Sequence, residues 1–319
     1  MKDKKTDLKE KIGGHNVKLT NQDKVLWPER GYTKGDLINY YRSIVRYLLP
    51  YLKDRPVTMH RYPNGVNEEA FFHKDLKDTQ YPSWVKTKSI KSRTEGGKRT
   101  HYILVNNEET LTYLANLASI EIHPWHSRSG NLNKPDYAIF DLDPHGIEFK
   151  RTVEVALETH KILDSLDVPN YIKTTGFTGL HIGIPLGAKY TYKQVQVFLQ
   201  LLSVIVNHRL PKITSVERLS KDRKNKIYLD IMQNFRGQTI VAPYSVRPSK
   251  DATVSTPLRW SEVESKLDPK RFTIKDVPGR VKKKGDLWKG VLGRGINLSK
   301  VIAVIEKQYG KELETKQSD

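Results

Sequence analysis

The residues predict an α+β fold of short strands and amphipathic helices. Three observations carry this. Short runs rich in β-branched and aromatic residues, at 137–140, 171–174 and 226–231, have the length and composition of strands. Stretches at 34–52, 108–119, 150–166 and 191–209 repeat apolar residues at helical spacing, and a further helix is expected near 298–309. No internal repeat or low-complexity linker appears, so one integrated body fits better than two separable domains. The expected boundaries are a flexible basic tail at 1–15, one domain at 16–310 and a tail at 311–319. Within that domain, an N-terminal part of about 16–130 precedes a core of about 131–310.

Composition narrows the partners. The chain has 319 residues, ample for a sizeable core. Fifty-five Lys and Arg against 36 Asp and Glu leave a net charge of +19, which favours a polyanion, nucleic acid above all. No apolar run approaches the roughly 18–20 residues needed to span a bilayer, so no membrane partner is expected. Residues 1–11 are charged and lack the apolar core of a signal peptide. Cysteine is absent, which excludes disulfides and thiolate zinc sites and fits a reducing cytosol. The expected location is therefore the cytoplasm, in association with the nucleoid.

The elements follow in order. Thr33 with Asp36 resembles a capping box, and Leu37, Tyr40, Tyr41, Ile44, Val45, Leu48 and Leu49 then mark one amphipathic helix over 34–52. Lys24 and Lys34 flank the loop before it, where helix N–H groups can bind an anion; two lysines ten apart are also ordinary surface charge. Residues 56–73 read as strand and turn ending at Phe71-Phe72-His73-Lys74. On extended backbone the two rings face opposite ways, so one can be core while the other, if exposed, forms a stacking platform for a base. Residues 86–101, with Lys86, Lys88, Lys91, Arg93, Lys98 and Arg99 around Gly96-Gly97, read as a hairpin or basic loop suited to phosphates. Asn107 caps the next helix, which leads into His123-Pro124-Trp125-His126. Pro124 breaks helical spacing between the two histidines, so His123 is read as a hydrogen-bond donor rather than a metal ligand.

The run Asp-Tyr-Ala-Ile-Phe-Asp-Leu-Asp-Pro at 136–144 is the centre of the chain's chemistry. Side chains two apart on a strand share a face, so Asp141 and Asp143 stand side by side while Leu142 points to the core. Paired carboxylates repel and call for a cation, although an isolated Asp-x-Asp can equally cap a following turn. A helix at 150–166 separates this strand from Tyr-Ile-Lys-Thr-Thr-Gly-Phe-Thr-Gly-Leu-His at 171–181. There Gly176 and Gly179 permit a phosphate cradle, with hydroxyls from Thr175 and Thr178 and an imidazole from His181; most Gly-x-x-Gly turns are only hairpins. After the helix at 191–209 and a basic run at 218–226, a strand delivers Asp230. Gln233, Asn234 and Arg236-Gly237 turn the chain into a strand over 239–248 that ends near Arg247.

Asp141, Asp143 and Asp230 together can bind a pair of divalent cations, the glycine turn can hold phosphates, and Arg223 and Arg247 can neutralise them. That inventory suits in-line phosphoryl or nucleotidyl transfer.

The ordered motifs also carry a resemblance. Phe-Asp-Leu-Asp-Pro, Thr-Thr-Gly-x-x-Gly-Leu-His, Tyr-Leu-Asp-Ile-x-Gln-Asn and Val-Ala-Pro-Tyr-Ser-x-Arg resemble the polymerase domain of bacterial DNA ligase D, in the archaeo-eukaryotic primase superfamily. The similarity runs from about residue 18 to 278 and includes Leu-Thr-Asn-x-Asp-Lys-Val-Leu-Trp-Pro, Arg-Pro-Val-Thr and Phe-Phe-His-Lys. It implies a primase-like core of mixed or antiparallel sheets flanked by helices, with an N-terminal αβ part. The implied activity extends DNA ends with NTPs or dNTPs in non-homologous end joining, using Mn²⁺ or Mg²⁺ as two divalent cations. By resemblance Asp141, Asp143 and Asp230 are the metal ligands and catalytic carboxylates. Thr175, Gly176, Gly179, His181, Gln233 and Arg247 contact the nucleotide, with His123 and Arg223 as neighbours. Lys24 and Lys34 match a pocket for a recessed 5′-phosphate, Phe71 and Phe72 a stacking pair, and Arg61 a support for the template. One module accounts for the whole length, which fits a standalone protein of a split repair system, with Ku and a DNA ligase as partners in trans, or an excised domain. Thr175 stands where serine is common, and Thr178 where lysine is common, which removes a charge from the triphosphate site. Rival readings are a primase or translesion-type polymerase of the same superfamily, a metal-dependent nuclease, and a non-enzymatic DNA end-bridging protein.

Overall fold

The computed structural model describes residues 7–92, 96–217 and 225–314. Helices mix with largely antiparallel sheets, an α+β architecture, and the chain divides into two compact units. The first comprises Met1–Gly130, Thr239–Thr256 and Lys270–Asp286; the second comprises Asn131–Gln238, Pro257–Pro269 and Leu287–Asp319. The first unit therefore takes in two late segments that sequence spacing left with the core. Among the described residues, no helix is long and apolar enough to cross a membrane.

The first unit opens with a hairpin, Leu8–Ile12 against His15–Leu19, where sequence reading expected a loose tail. Its alternation buries Ile12, Val17 and Leu19, and Gly13 supplies the positive φ of the turn. A second hairpin, Val25–Trp27 with Tyr32–Thr33, delivers the chain to the helix Lys34–Ser43. The capping box at its start is present: the Thr33 hydroxyl accepts from the Asp36 N–H at 3.2 Å, and the Asp36 carboxylate accepts from the Thr33 N–H at 2.7 Å. The single helix expected over 34–52 breaks at Ile44 and resumes as Val45–Leu52. The Ser43 hydroxyl donates to the Tyr40 carbonyl at 2.6 Å, a local bond that competes with the helical ladder just before the break. Asn107 caps the helix Glu108–Asn116, which ends before the expected 119 because Ala118 takes a positive φ.

The main sheet of this unit runs in the order Phe71–His73, Pro56–Arg61, Arg99–Leu104, Thr87–Lys91, and Ser119–Pro124 also pairs with Pro56–Arg61. The strand expected over 239–248 does not form. Isolated bridges hold Thr239 and Val246, and between them Pro243 lacks a donor and Tyr244 takes φ 67°. The hydroxyls of buried Tyr51 and Tyr244 both donate to the Asp286 carboxylate, at 2.6 and 2.7 Å.

The second unit is a six-stranded sheet in the order Thr214–Ser215, Ile227–Asp230, Tyr137–Pro144, Leu180–Pro185, Tyr171–Thr174, Pro257–Leu258. All neighbours are antiparallel except the first pair. The helix Phe149–Ser165 packs on the strands Tyr137–Pro144 and Leu180–Pro185, burying Val153, Ala156 and Leu163. The helices Tyr192–Arg209 and Leu298–Glu314 pack on each other.

Candidate active site

The sequence-predicted residues fall into two groups, one in each unit. In the second unit, strand register lines up four side chains across adjacent strands. Asp230 is paired with Asp141, Asp141 with His181, and His181 with Lys173. Directly paired residues share a face, so this row runs across the sheet, with Asp143 two residues further along the central strand and exposed. Lys173, only 1% exposed, was not singled out by sequence reasoning. Its Nζ lies 2.8 Å from His181 Nδ1, and because an ammonium can only donate, Nδ1 accepts. The ring hydrogen is then on Nε2, which stands 3.2 Å from Asp141 Oδ1 and donates to it. Both nitrogens of the buried His181 are thus engaged. Lys173→Met removes the donor to a buried acceptor, an expected cost of about 1–3 kcal/mol. A thermal melt should read it as a Tm several degrees lower.

Asp230 is held as firmly. Its Oδ1 accepts from the Met232 N–H at 2.7 Å, and its Oδ2 accepts from Gln233 Nε2 at 3.4 Å, so Gln233 is joined to the carboxylate. Beyond Asp230 the ladder is continued by a side chain. Asn234 Oδ1 accepts from the Ile139 N–H at 2.9 Å, and its Nδ2 donates to the Ile139 carbonyl at 2.7 Å. This buried amide keeps Asp230 in register with Asp141 after the strand has ended.

The glycine turn is shaped by Thr175, whose hydroxyl accepts from the N–H groups of Phe177 at 3.2 Å and Gly179 at 3.1 Å. The oxygen assigned to phosphate thus also builds the turn, while its own hydrogen can donate. Gly176 holds φ 81°, and a Cβ on Gly179 would lie 2.8 Å from the Leu142 carbonyl, so only glycine lets the turn approach the carboxylate strand this closely. Arg223 lies outside the described residues.

The fit to divalent cations rests on oxygen donors alone. Among the described residues, no three His, Cys, Asp or Glu side chains form a preformed cage. Mg²⁺-like ions are typically held by one or two carboxylates plus waters and substrate phosphates, so two facing carboxylates with a third nearby suit such ions.

In the first unit, Lys24 and Lys34 are brought together by a backbone bond, Lys34 N–H to Lys24 carbonyl at 2.8 Å. Lys24 Nζ donates to Asn64 Oδ1 at 2.8 Å, and Lys34 Nζ donates to Thr20 Oγ1 and the Asn116 carbonyl, each at 3.1 Å. Burial, reinforced by the charge of Lys24, pushes the Lys34 ammonium down to about 8. Phe71 and Phe72 are both exposed, at 45% and 63%, where sequence reading allowed one of them to be core. They lie on the edge strand of the sheet, Phe71 with the Arg61 guanidinium 5.2 Å from its ring centre and Phe72 against His60. Arg61 Nε donates to the Leu117 carbonyl at 3.0 Å, which fixes that guanidinium.

Arg247 and His123 converge on Glu121, a buried carboxylate that sequence reasoning missed. Arg247 Nε stands 2.9 Å from Glu121 Oε1 and His123 Nε2 stands 3.7 Å from Oε2. Burial would raise the Glu121 carboxyl, but the imidazoles of His123 and His60 and the Arg247 charge outweigh it and hold it well below the usual carboxylate range. Among the described residues, the buried His123 Nε2 has no hydrogen-bond partner.

The chain is similar to known proteins over most of its length. The family model of the LigD primase-polymerase domain matches residues 33–288. The chain is 36% identical over 276 residues to the multifunctional non-homologous end joining protein LigD of Mycolicibacterium smegmatis, covering 85% of this chain and 35% of that protein. It is 36% identical over 272 residues to the bifunctional LigD of Bacillus subtilis, covering 84% and 43%. The chain thus spans between a third and a half of the length of these curated relatives. The polymerase domain from Mycobacterium tuberculosis ligase D, solved in complex with DNA, superposes with a TM-score of 0.81 at 29% identity, covering 88% of this chain and 99% of that one. With a family model spanning most of its length, and a carboxylate row and glycine turn where the motifs require them, the chain belongs to the LigD primase-polymerase domain family.

Proposed function

We propose that this chain is a DNA-directed nucleotidyltransferase that fills gaps and extends 3′ ends with NTPs or dNTPs at double-strand breaks, in non-homologous end joining. The observation that carries the reading is the row Asp230–Asp141–His181–Lys173, with Asp143 beside it and a glycine turn packed on the same strand. Asp141, Asp143 and Asp230 are the residues that would hold Mn²⁺ or Mg²⁺, which when bound would supply charge to activate a 3′-hydroxyl and to neutralise a leaving pyrophosphate. His181 fixes Asp141 by donating to it, and Gln233 does the same for Asp230. Thr175, Gly176 and Gly179 receive the triphosphate, with Arg247 and His123 as further nucleotide contacts. In the first unit Lys24 and Lys34 take a 5′-phosphate, and Phe71, Phe72 and Arg61 support unpaired bases of the DNA. Ku and a DNA ligase are the partners of this reading, and the cytoplasm is the compartment.

The test is a gapped duplex bearing a 5′-phosphate, with labelled NTPs or dNTPs and either metal. Addition of nucleotides to the 3′ end is the expected result. DNA binding without incorporation under either metal refutes the polymerase reading and leaves end bridging.

A further inference from the structure

Glu121 does more in the first unit than neutralise one arginine. It lies in the strand Ser119–Pro124 and is only 4% exposed. Its Oε1 pairs with Arg247 Nε at 2.9 Å, while its Oε2 is hydrogen-bonded to His60 Nδ1. The Tyr62 hydroxyl closes on the same His60 nitrogen at 3.1 Å. The His60 ring lies nearly parallel to that of Phe72, with centroids 4.0 Å apart and 11° between planes. His123 meets Phe72 edge-on at 5.9 Å and 74°. One face of a largely exposed phenyl ring is therefore backed by an imidazole, and that imidazole is tethered to the carboxylate that also grips Arg247.

A buried carboxylate is a poor way to gain stability, since its desolvation offsets much of the attraction it makes. It is a good way to fix orientation. A guanidinium whose Nε stands 2.9 Å from a fixed carboxylate is held in place by charge, and it keeps further N–H donors for a ligand. A ring stacked on a tethered imidazole is likewise held flat and presents its outer face to a base.

We infer that Glu121 is a positioning residue, which through one buried carboxylate orients both the nucleotide contact Arg247 and the base-stacking ring Phe72. The inference rests on the proposed roles of those two residues. Its consequence is that nucleotide affinity and base stacking fall together when the carboxylate is lost, although Glu121 touches neither ligand.

The experiment compares wild type with Glu121→Leu and with the milder Glu121→Gln, whose single carbonyl can accept from only one of the two partners. Nucleotide binding is read by calorimetry with dNTP and Mn²⁺. Stacking is read by the quench of 2-aminopurine in an unpaired DNA base without nucleotide, with Phe72→Ala as the unquenched reference. Loss of the buried charge partner of Arg247 predicts nucleotide binding about tenfold weaker or more for Leu. The quench should approach that of Phe72→Ala, and Gln should shift both quantities in the same direction by less. A lower Tm with binding and quench unchanged, or a change in one without the other, overturns the inference. Failure of the wild-type protein to incorporate nucleotide sinks the polymerase reading instead, because neither of these readouts requires turnover.

Discussion

Asp230→Asn abolishes nucleotide addition and leaves DNA binding intact. The substitution keeps an oxygen for the Met232 N–H, which now bonds Oδ1 at 2.7 Å, and it leaves the Asn234–Ile139 bonds that hold the strand end in place. The fold therefore has no reason to change, and Tm should stay within a few degrees of wild type. What disappears is one of two facing negative charges. Metal-assisted stabilisation of a transferring phosphoryl group amounts to several kcal/mol, so extension should fall by at least about a thousandfold. Binding of a labelled gapped duplex, read by anisotropy, should be unchanged or slightly tighter, because a carboxylate has been removed from a protein that takes a polyanion. Residual extension within tenfold of wild type would mean that Asp230 is only the cap of its turn.

Lys34→Ala, alone or with Lys24→Ala, weakens DNA binding chiefly when the gap carries a 5′-phosphate. Charge-assisted hydrogen bonds of this kind contribute about 1.5–3 kcal/mol, so the loss should reach roughly tenfold or more on the phosphorylated duplex and little on its hydroxyl counterpart. Equal loss on both removes the pocket assignment. The same lysine gives the preference a pH dependence. Its ammonium is pushed down to about 8, so the free protein carries this charge below that pH and loses it above. The advantage of the phosphorylated duplex should therefore shrink as pH rises from 7 to 9, and Lys34→Ala should flatten that dependence. Linkage runs the other way for folding. The unfolded chain keeps this proton up to about 10.5, so between about 8 and 10.5 it binds more protons than the folded chain, and stability at this residue rises with pH.

Local signals in the sequence were legible because they depend on neighbours. The Thr33–Asp36 capping box, the Asp-x-Asp strand and the glycine turn each read from a few adjacent residues. The helix break at Ile44 was hidden because apolar spacing continues through it, and what marks it is a serine side chain turned on its own backbone. The expected strand over 239–248 failed for a local reason, a proline followed by a tyrosine with positive φ. The residues that organise the sites were harder to find. Asn234 acts on Ile139 across 95 positions, and Glu121 meets His60 across 61. Glu121 has no motif, and Asn234, although it closes the Tyr-Leu-Asp-Ile-x-Gln-Asn motif, gives no sign of its partner, because each role is defined by which strand lies opposite. Lys173 left one clue, a cation inside a short strand otherwise suited to burial.

The shared grip of Tyr51 and Tyr244 on Asp286 also matters while the chain is being made. Tyr51 waits for a partner 235 residues downstream, which at ribosomal speeds of about 5–20 residues per second is a delay of roughly 10 to 50 seconds. For that interval the helix bearing Tyr51 has left the ribosome while its hydroxyl has no carboxylate to meet. The first unit is thus begun early and finished among the last, with its closing latch, Asp286, reached only after the carboxylates of the second unit have been synthesised. Nascent chains stalled before residue 286 should be cleaved around Tyr51 more readily than chains that include Asp286.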